Sequence, residues 1–263
     1  MPIRAPTLLF VLLLAAPPGA AANNSATTPG PQLSVERQAD GSRRALVQNP
    51  LAGPLQVRVW EPGRPEAAVE ATLAAGESRA IGRFSGAGAA ELRLLARPGP
   101  ALPLPPLQVR PYAFPLPANV AWRLTQGFGG RASHRDPANW HALDLAAAEG
   151  TPVLAARAGT VMKVVDHFQA GGTEAALRER ANFVRVLHAD GSMGLYAHIA
   201  AGSARVRPGE VVEAGTPLAA VGSVGWSSAP HLHFSVQVND GRELLSLPFR
   251  MAAPGKGWLG EAP

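Results

Sequence analysis

The sequence predicts an all-β protein, and three observations carry the prediction. Glycine and proline are abundant, at 28 and 26 residues, while only 16% of residues are charged, a mix suited to short strands and many turns. Short segments of alternating polarity recur, separated by turn clusters such as Asp40-Gly41-Ser42, Gly53-Pro54 and Pro62-Gly63, the texture of sheets rather than helices. Finally, Pro230-His231-Leu232-His233-Phe234 sets two imidazoles on either side of one leucine. Side chains alternate faces on a strand, so His231 and His233 share one surface while Leu232 and Phe234 enter a core.

Taken in order, Arg4 precedes an apolar run from Leu8 to Ala16, and the small residues Gly19-Ala20-Ala21-Ala22 follow. This is the grammar of a secretory signal over residues 1–22, with cleavage after about Ala22. The run is far shorter than the ~20 residues of a spanning helix. No cysteine follows it, so no stable membrane anchor is expected, and the expected location is periplasmic or secreted. Residues 23–31, mostly Ser, Thr, Asn, Pro and Gly, read as a flexible linker.

Strand-like segments then run from Gln32 to Gln38, Arg44 to Gln48, Leu55 to Trp60, Ala68 to Leu73, Ser78 to Phe84 and Ala90 to Ala96. Their spacing predicts a small immunoglobulin-like β-sandwich over residues 32–97. The Pro-rich stretch 98–111 reads as a semi-rigid connection to a second domain over residues 112–250.

In that second domain Thr160 to Val165, Asn182 to His188 and Met193 to His198 form an antiparallel meander, with a turn at Asp190-Gly191. Between its first two strands, Asp166 to Ala181 contains a predicted short helix, Thr173 to Arg180, capped by Thr173. Such an excursion from a β core forms a wall beside a site. Strands at Val206 to Glu210, Val212 to Gly215 and Leu218 to Val221 complete the sheet before the His-Leu-His edge. Residues 251–263 read as a loosely held tail.

Composition narrows the chemistry. Cysteine is absent, which excludes disulfides and leaves only nitrogen and oxygen ligands for any metal. The formal net charge of +5 favours residence near polyanions. The arginines are scattered and no base-reading motif occurs, so nucleic acid is not an expected partner. A cell wall bearing carboxylates or phosphates suits the charge.

Asp144 lies in Ala142-Leu143-Asp144-Leu145-Ala146, an acid inside an apolar run. A buried lone carboxylate is costly, so this one calls for a metal or a cationic partner, a salt bridge to an arginine being the plain alternative. Seven histidines are present: His134, His141, His167, His188, His198, His231 and His233.

Together with Gln126-Gly127-Phe128-Gly129-Gly130, Gly150-Thr151-Pro152-Val153, Tyr196-Ala197-His198 and Pro230-His231-Leu232-His233-Phe234, the His134 to Asp144 segment resembles the zinc endopeptidases of the lysostaphin and LytM type, the M23 peptidases. The resemblance covers about Tyr112 to Phe249 and implies an antiparallel β-sheet peptidase domain. It implies zinc held by a first histidine, Asp144 and His233. The common family pattern is His-x-x-x-Asp, and Trp140 occupies that histidine's position here.

Two candidates replace it. On a strand, residues three apart face opposite sides, so His141 should point away from Asp144. His134 lies in Ala132-Ser133-His134 and resembles a branch of the family whose ligand histidine sits in a Ser-His segment. His134 is therefore preferred over His141.

Three protein ligands leave a fourth position for water, as in catalytic rather than structural zinc sites. No His-Glu-x-x-His motif supplies a glutamate base. The resemblance instead assigns His198 and His231 to proton transfer and oxyanion stabilisation, roles their ordinary pKa suits. His167 and His188 read as bystanders.

The implied activity is hydrolysis of peptidoglycan stem or bridge peptides. The groove walls are expected at Phe128 to Arg135, Asp166 to Ala181 and Gly222 to Ser228. The alternative is a non-catalytic LytM-like domain that binds the wall or activates an amidase. The N-terminal domain is read as binding the wall or lying across the groove to control access.

Overall fold

The structure, a computed structural model, describes residues 28–85, 92–103 and 111–260. The signal-like segment 1–22 lies outside the described residues, as do most of the linker, part of the Pro-rich connection and the last three positions. The protein is all-β. Its helical content among the described residues is one 3₁₀ turn, Ala175–Leu177. No helix among them is long and apolar enough to cross a membrane.

Six strands build the N-terminal unit: β1 (Gln32–Arg37), β2 (Arg43–Gln48), β3 (Leu55–Glu61), β4 (Arg64–Leu73), β5 (Ser78–Phe84) and β6 (Arg93–Pro98). They form two antiparallel sheets ordered β1-β2-β5 and β4-β3-β6. Alternation decides the packing: Ala45 and Val47 of β2 and Val57 and Val59 of β3 are fully buried, and meet Leu55, Leu73, Ile81 and Phe84 in one cluster. The buried Arg43–Glu61 pair at 2.5 Å ties β2 to β3 across the layers. The described part is thus a six-stranded sandwich, one strand fewer than the smallest immunoglobulin pattern.

The second unit begins with β7 (Pro111–Tyr112), β8 (Trp122–Gln126), β9 (Ala142–Ala147), β10 (Pro152–Leu154) and β11 (Gly159–Val165). It continues through β12 (Gly171–Gly172), β13 (Phe183–Leu187), β14 (Met193–Ala197), β15 (Val211–Val212), β16 (Pro217–Ala220) and β17 (Gly225–Trp226). The chain closes with β18 (His231–Asn239), β19 (Leu244–Ser246), β20 (Arg250–Ala253) and β21 (Gly257–Leu259). The main antiparallel sheet has the order β15-β11-β13-β14-β18-β9-β8, with β19 on β18.

β18 sets the two faces. Leu232, Phe234 and Val236 enter a core with Leu143, Leu145, Val184 and Tyr196, closed by Val153 and Leu218 from β10 and β16. Tyr112, Phe234 and Phe249 meet edge to face there, with ring centroids 5.1 to 6.1 Å apart, the preferred geometry for aromatic pairs. The alternate residues His231, His233, Ser235, Gln237 and Asn239 form the floor of the opposite face.

The N-terminal sandwich packs on the far end of that same floor. Met162 and Met193 of the main sheet are fully buried in the sandwich's own cluster, with Leu187 and Leu244 against it. Asn239 donates to Gln56 Oε1 at 3.0 Å, and Gln56 donates to the Gly241 carbonyl.

Five expectations change. Residues 206–210, read as a strand, form a loop and turn, and the next expected strand is only Val211–Val212, paired with the start of β11. Thr28, within the expected linker, is buried and bonds both N–H and side chain to Val164 on the edge of β11, so an open strand edge fixes it. The Pro-rich connection is anchored where described, Leu102 donating to the Asn239 carbonyl. The expected helix from Thr173 is only the 3₁₀ turn, preceded by Glu174 without a side-chain cap bond. Through residue 260 the expected tail is a β20–β21 hairpin paired with β7, and Met251 is fully buried. Core burial of Met251 and Ala253 outweighs the turn-rich local composition.

The turn between β13 and β14 is held by Asp190, which accepts from Ser192 Oγ at 2.6 Å and Arg157 Nη1 at 2.7 Å. Burial opposes its ionisation, but the Ser192 and Arg157 bonds outweigh it and hold its pKa at about 2. A folded pKa below the unfolded value of 3.8 makes this stabilisation complete above that value and lost as pH falls through the folded one.

The stability difference between wild type and Asp190→Asn is therefore expected to be constant above about pH 5 and to shrink between about pH 4 and 2, read by urea denaturation. Because one cluster spans both units, Met162→Ala should cost about 2–5 kcal/mol in a single shared unfolding transition.

Candidate metal centre

Strand register builds the site. On β18 and β9, His233 stands directly opposite Asp144, and Ala197 of β14 flanks His233 on the other side. Gln126 at the end of β8 lies opposite Asp144. Its amide donates to Asp144 Oδ2 at 2.8 Å and to Ser133 Oγ, while its oxygen accepts from the Ala132 and Ser133 N–H groups. One side chain thereby orients the carboxylate and folds the β8–β9 loop so that His134 turns inward.

His134, Asp144 and His233 are all buried, and one ligand atom from each lies within 4.8 Å of the others. Asp144 Oδ1 is 3.2 Å from His134 Nε2 and 2.9 Å from His233 Nδ1. The outer nitrogens settle the tautomers. His134 Nδ1–H donates to the Gly127 carbonyl at 2.8 Å, and His233 Nε2–H donates to Asn139 Oδ1 at 3.0 Å. Each inner nitrogen therefore faces the Asp144 carboxylate.

A buried carboxylate set between two imidazoles calls for positive charge there, from a metal ion or from an imidazole proton. Burial would raise the Asp144 pKa, but the bonds to His134 and His233 hold it well below the usual carboxylate range. Burial would lower His134, yet Asp144 pulls it above its ordinary value. A nitrogen-nitrogen-oxygen set with outer-nitrogen hydrogen bonds is the donor chemistry of a divalent transition-metal site, and these residues fit it.

Two further imidazoles face the centre. His231 Nδ1–H donates to the Ala229 carbonyl and His198 Nδ1–H to the Val224 carbonyl, both at 2.8 Å. Their Nε2 atoms remain for chemistry; that of His231 lies 3.8 Å from Asp144 Oδ1. The His198 and His231 rings are 4.7 Å apart between centroids. Burial, then the neighbouring His231 and His233, push His198 down to about 3. His198 directly follows β14 with φ 64°, and is the only described non-glycine residue at positive φ, backbone strain of a kind that clusters at working sites.

The other histidines lie elsewhere. His141 Nδ1–H donates to the Ser246 carbonyl, and its ring packs on Phe128, so it faces away from Asp144. Trp140 is half exposed. His188 is buried against Tyr112, with Nδ1–H on the Ala158 carbonyl, and His167 lies on Phe168.

The centre opens into a groove of about 740 Å³, within the usual range of ligand sites. Arg135 and Ser133 come from the first expected wall, Thr173, Arg178 and Ala181 from the second, and Trp226 to Ser228 from the third. β12 and β17 tie the last two together as a parallel pair. Gly225 permits this at φ 90°, where a side-chain carbon would lie 2.7 Å from Ala181 Cα. Among the described residues, those lining the groove all belong to the second unit.

Gln126 and Asn139 are the supporting residues that sequence reasoning left without a role. Gln126 stands in the motif already singled out, but its loop-folding bonds are visible only in three dimensions. Asn139 carries no signal beyond its place between His134 and Asp144.

The fold and site define a β-sheet domain with a metal-type His-Asp-His centre in an open groove. Residues 138–244 match the family described as Peptidase family M23. The match begins after His134 and contains Asp144, His198, His231 and His233.

A Haemophilus influenzae protein named "Uncharacterized metalloprotease" is 31% identical over 115 residues, 44% of this chain and 22% of that protein. The "DD-carboxypeptidase/endopeptidase Mpg" of Neisseria meningitidis serogroup B is 35% identical over 126 residues, 46% of this chain and 25% of that one. The "Peptidoglycan DD-endopeptidase ShyA" of Vibrio cholerae is 27% identical over 147 residues, 53% and 31% of the two chains. The matched stretch thus spans about a quarter to a third of these relatives' length.

His134→Ala is expected to abolish retention of a divalent metal, whereas His141→Ala keeps most of it. Asn139→Ala should weaken retention about 10–100-fold with unchanged circular dichroism. Competition with a chromophoric chelator measures all three; equal loss in His134→Ala and His141→Ala would reverse the ligand assignment.

Proposed function

We propose that the chain is a zinc-dependent endopeptidase hydrolysing peptide cross-links of bacterial peptidoglycan, with His134, Asp144 and His233 as metal ligands and His198 and His231 as catalytic residues. The observation that carries this reading is the direction of four imidazoles. Each gives one N–H to a carbonyl-type oxygen; the other nitrogens of His134, His231 and His233 lie 3.2, 3.8 and 2.9 Å from Asp144 Oδ1, and the His198 ring sits against His231 and His233. A merely structural cluster has no need of two additional proton carriers beside a charge-demanding centre.

Bound zinc would supply Lewis acidity, polarising the scissile carbonyl and easing deprotonation of a water. The protein's own groups do the remaining work. His134, Asp144 and His233 fix the centre on strands and a braced loop. His198 and His231 line the groove with Nδ1 tied to backbone carbonyls; one accepts a proton from water, and the other, once protonated, donates to the oxyanion or the leaving amine. The 4.7 Å ring separation lets both serve one scissile bond.

The relatives' names support peptide bonds of peptidoglycan as the substrate, and the signal-like segment supports work outside the cytoplasm, in the periplasm or beyond the cell. The groove's basic lining suits a carboxylate-bearing wall.

The test is zinc content together with release of new amino groups from purified peptidoglycan. His198→Ala and His231→Ala should each keep zinc and lose about 10²–10⁴-fold in rate. Zinc loss in either would refute the division of roles. Full zinc without cleavage of any wall type by the wild type would favour a non-catalytic wall-binding or amidase-activating domain.

A further inference from the structure

The groove floor beyond the metal centre carries a feature that the hydrolytic reading does not use. Successive ranks of paired residues cross the sheet. The first is Phe183, Ala197, His233 and Asp144; the next is Arg185, Leu195 and Ser235; the third is Leu187, Met193 and Gln237. The third rank lies under the N-terminal sandwich, whose cluster takes in Met193 and Leu187. The floor is therefore closed one rank past Arg185.

Arg185 is only 7% exposed, yet it lines the groove. Its hydrogen bonds go to neutral partners, Gln237 Oε1 at 2.8 Å and Met193 Sδ at 3.8 Å. Directly opposite it on β11 stands Lys163, largely withdrawn from water, with its ammonium over the Phe183 ring. Among the described residues neither cation forms an ion pair with a carboxylate.

Like charges facing each other across a strand pair are destabilising, and a buried charge without a counter-ion is costly. Burial lowers Arg185 to about 10, which still leaves it charged at neutral pH. Around it, Arg135 and Arg178 also line the groove, against Asp136 alone outside the metal centre.

We infer that Arg185 and Lys163 form a subsite for a free carboxylate of the bound peptide, at the closed end of the groove. The inference rests on the peptidase reading for the identity of the bound molecule as a peptide. Spacing supports it. From His233, Arg185 lies two strands away, roughly 10 Å, and one rank along, roughly 7 Å, or about three to four residues of extended peptide. The planar guanidinium fork matches a carboxylate in two parallel hydrogen bonds. Wall peptides whose free carboxylates lie within that distance of the cut would be preferred over neutral ones.

The test uses the full chain in a His198→Ala background, which holds the substrate uncleaved. Calorimetry compares binding of soluble cross-linked wall peptides with the same peptides after their carboxylates are converted to amides. Amidation should weaken binding at least tenfold. Adding Arg185→Met should weaken binding of the native peptides to the same degree and erase the preference, while Lys163→Met reduces it about threefold.

Equal binding of both peptide forms, or no binding of either, overturns the subsite. So does an Arg185→Met protein that keeps the preference, or one that loses both forms equally with a lowered melting temperature. If Arg185→Met does not fold, Lys163→Met decides, and an unchanged preference there overturns the proposal. A wild-type chain that prefers the carboxylate form but cleaves neither would refute the peptidase reading and leave the subsite standing.

Discussion

The working half of the molecule depends on one carboxylate. Asp144 is buried on a central strand and faces the inner nitrogens of two imidazoles whose outer nitrogens bond elsewhere. Three such donor atoms do not converge in a buried site without positive charge among them. That need explains why so much structure surrounds Asp144: Gln126 braces it from β8, β18 brings His233 from 89 positions away, and the β8–β9 loop folds inward to deliver His134. Strand pairing gives two of the three ligand positions the stiffness of a hydrogen-bonded ladder, and the third borrows it through Gln126.

The same sheet joins the centre to the rest of the chain. β18 begins with the histidines and ends at Asn239, which bonds to the sandwich. The apolar cluster under the sandwich includes two methionines of the main sheet, so the two units share buried surface rather than hanging on a linker. The arrangement leaves the metal centre open and ends the groove floor beyond it.

Local patterns misled where a distant surface intervened. Thr28 and the hairpin from Arg250 to Leu259 have the composition of loose ends, but each lies on a strand with unpaired backbone groups. Unsatisfied edge groups are costly when buried, and any segment able to reach them gains order. Thr173 reads as a helix cap, yet Gly171 and Gly172 are drawn into pairing with β17. That contact leaves room only for a 3₁₀ turn.

The sequence by itself determined faces and chemistry. Alternation along His231-Leu232-His233-Phe234 put both imidazoles on one surface, an acid amid apolar neighbours marked Asp144 as needing a cation, and turn residues divided the strands nearly where they fall. The three-residue offset already turned His141 away from Asp144. Tertiary structure decided which distant groups meet: that His134 reaches the centre, that Gln126 and Asn139 hold it, and that Arg185 faces Lys163 without an acid. The reason is physical. Side-chain alternation is a property of a few consecutive residues, whereas register between strands tens of positions apart is fixed only when both cores close.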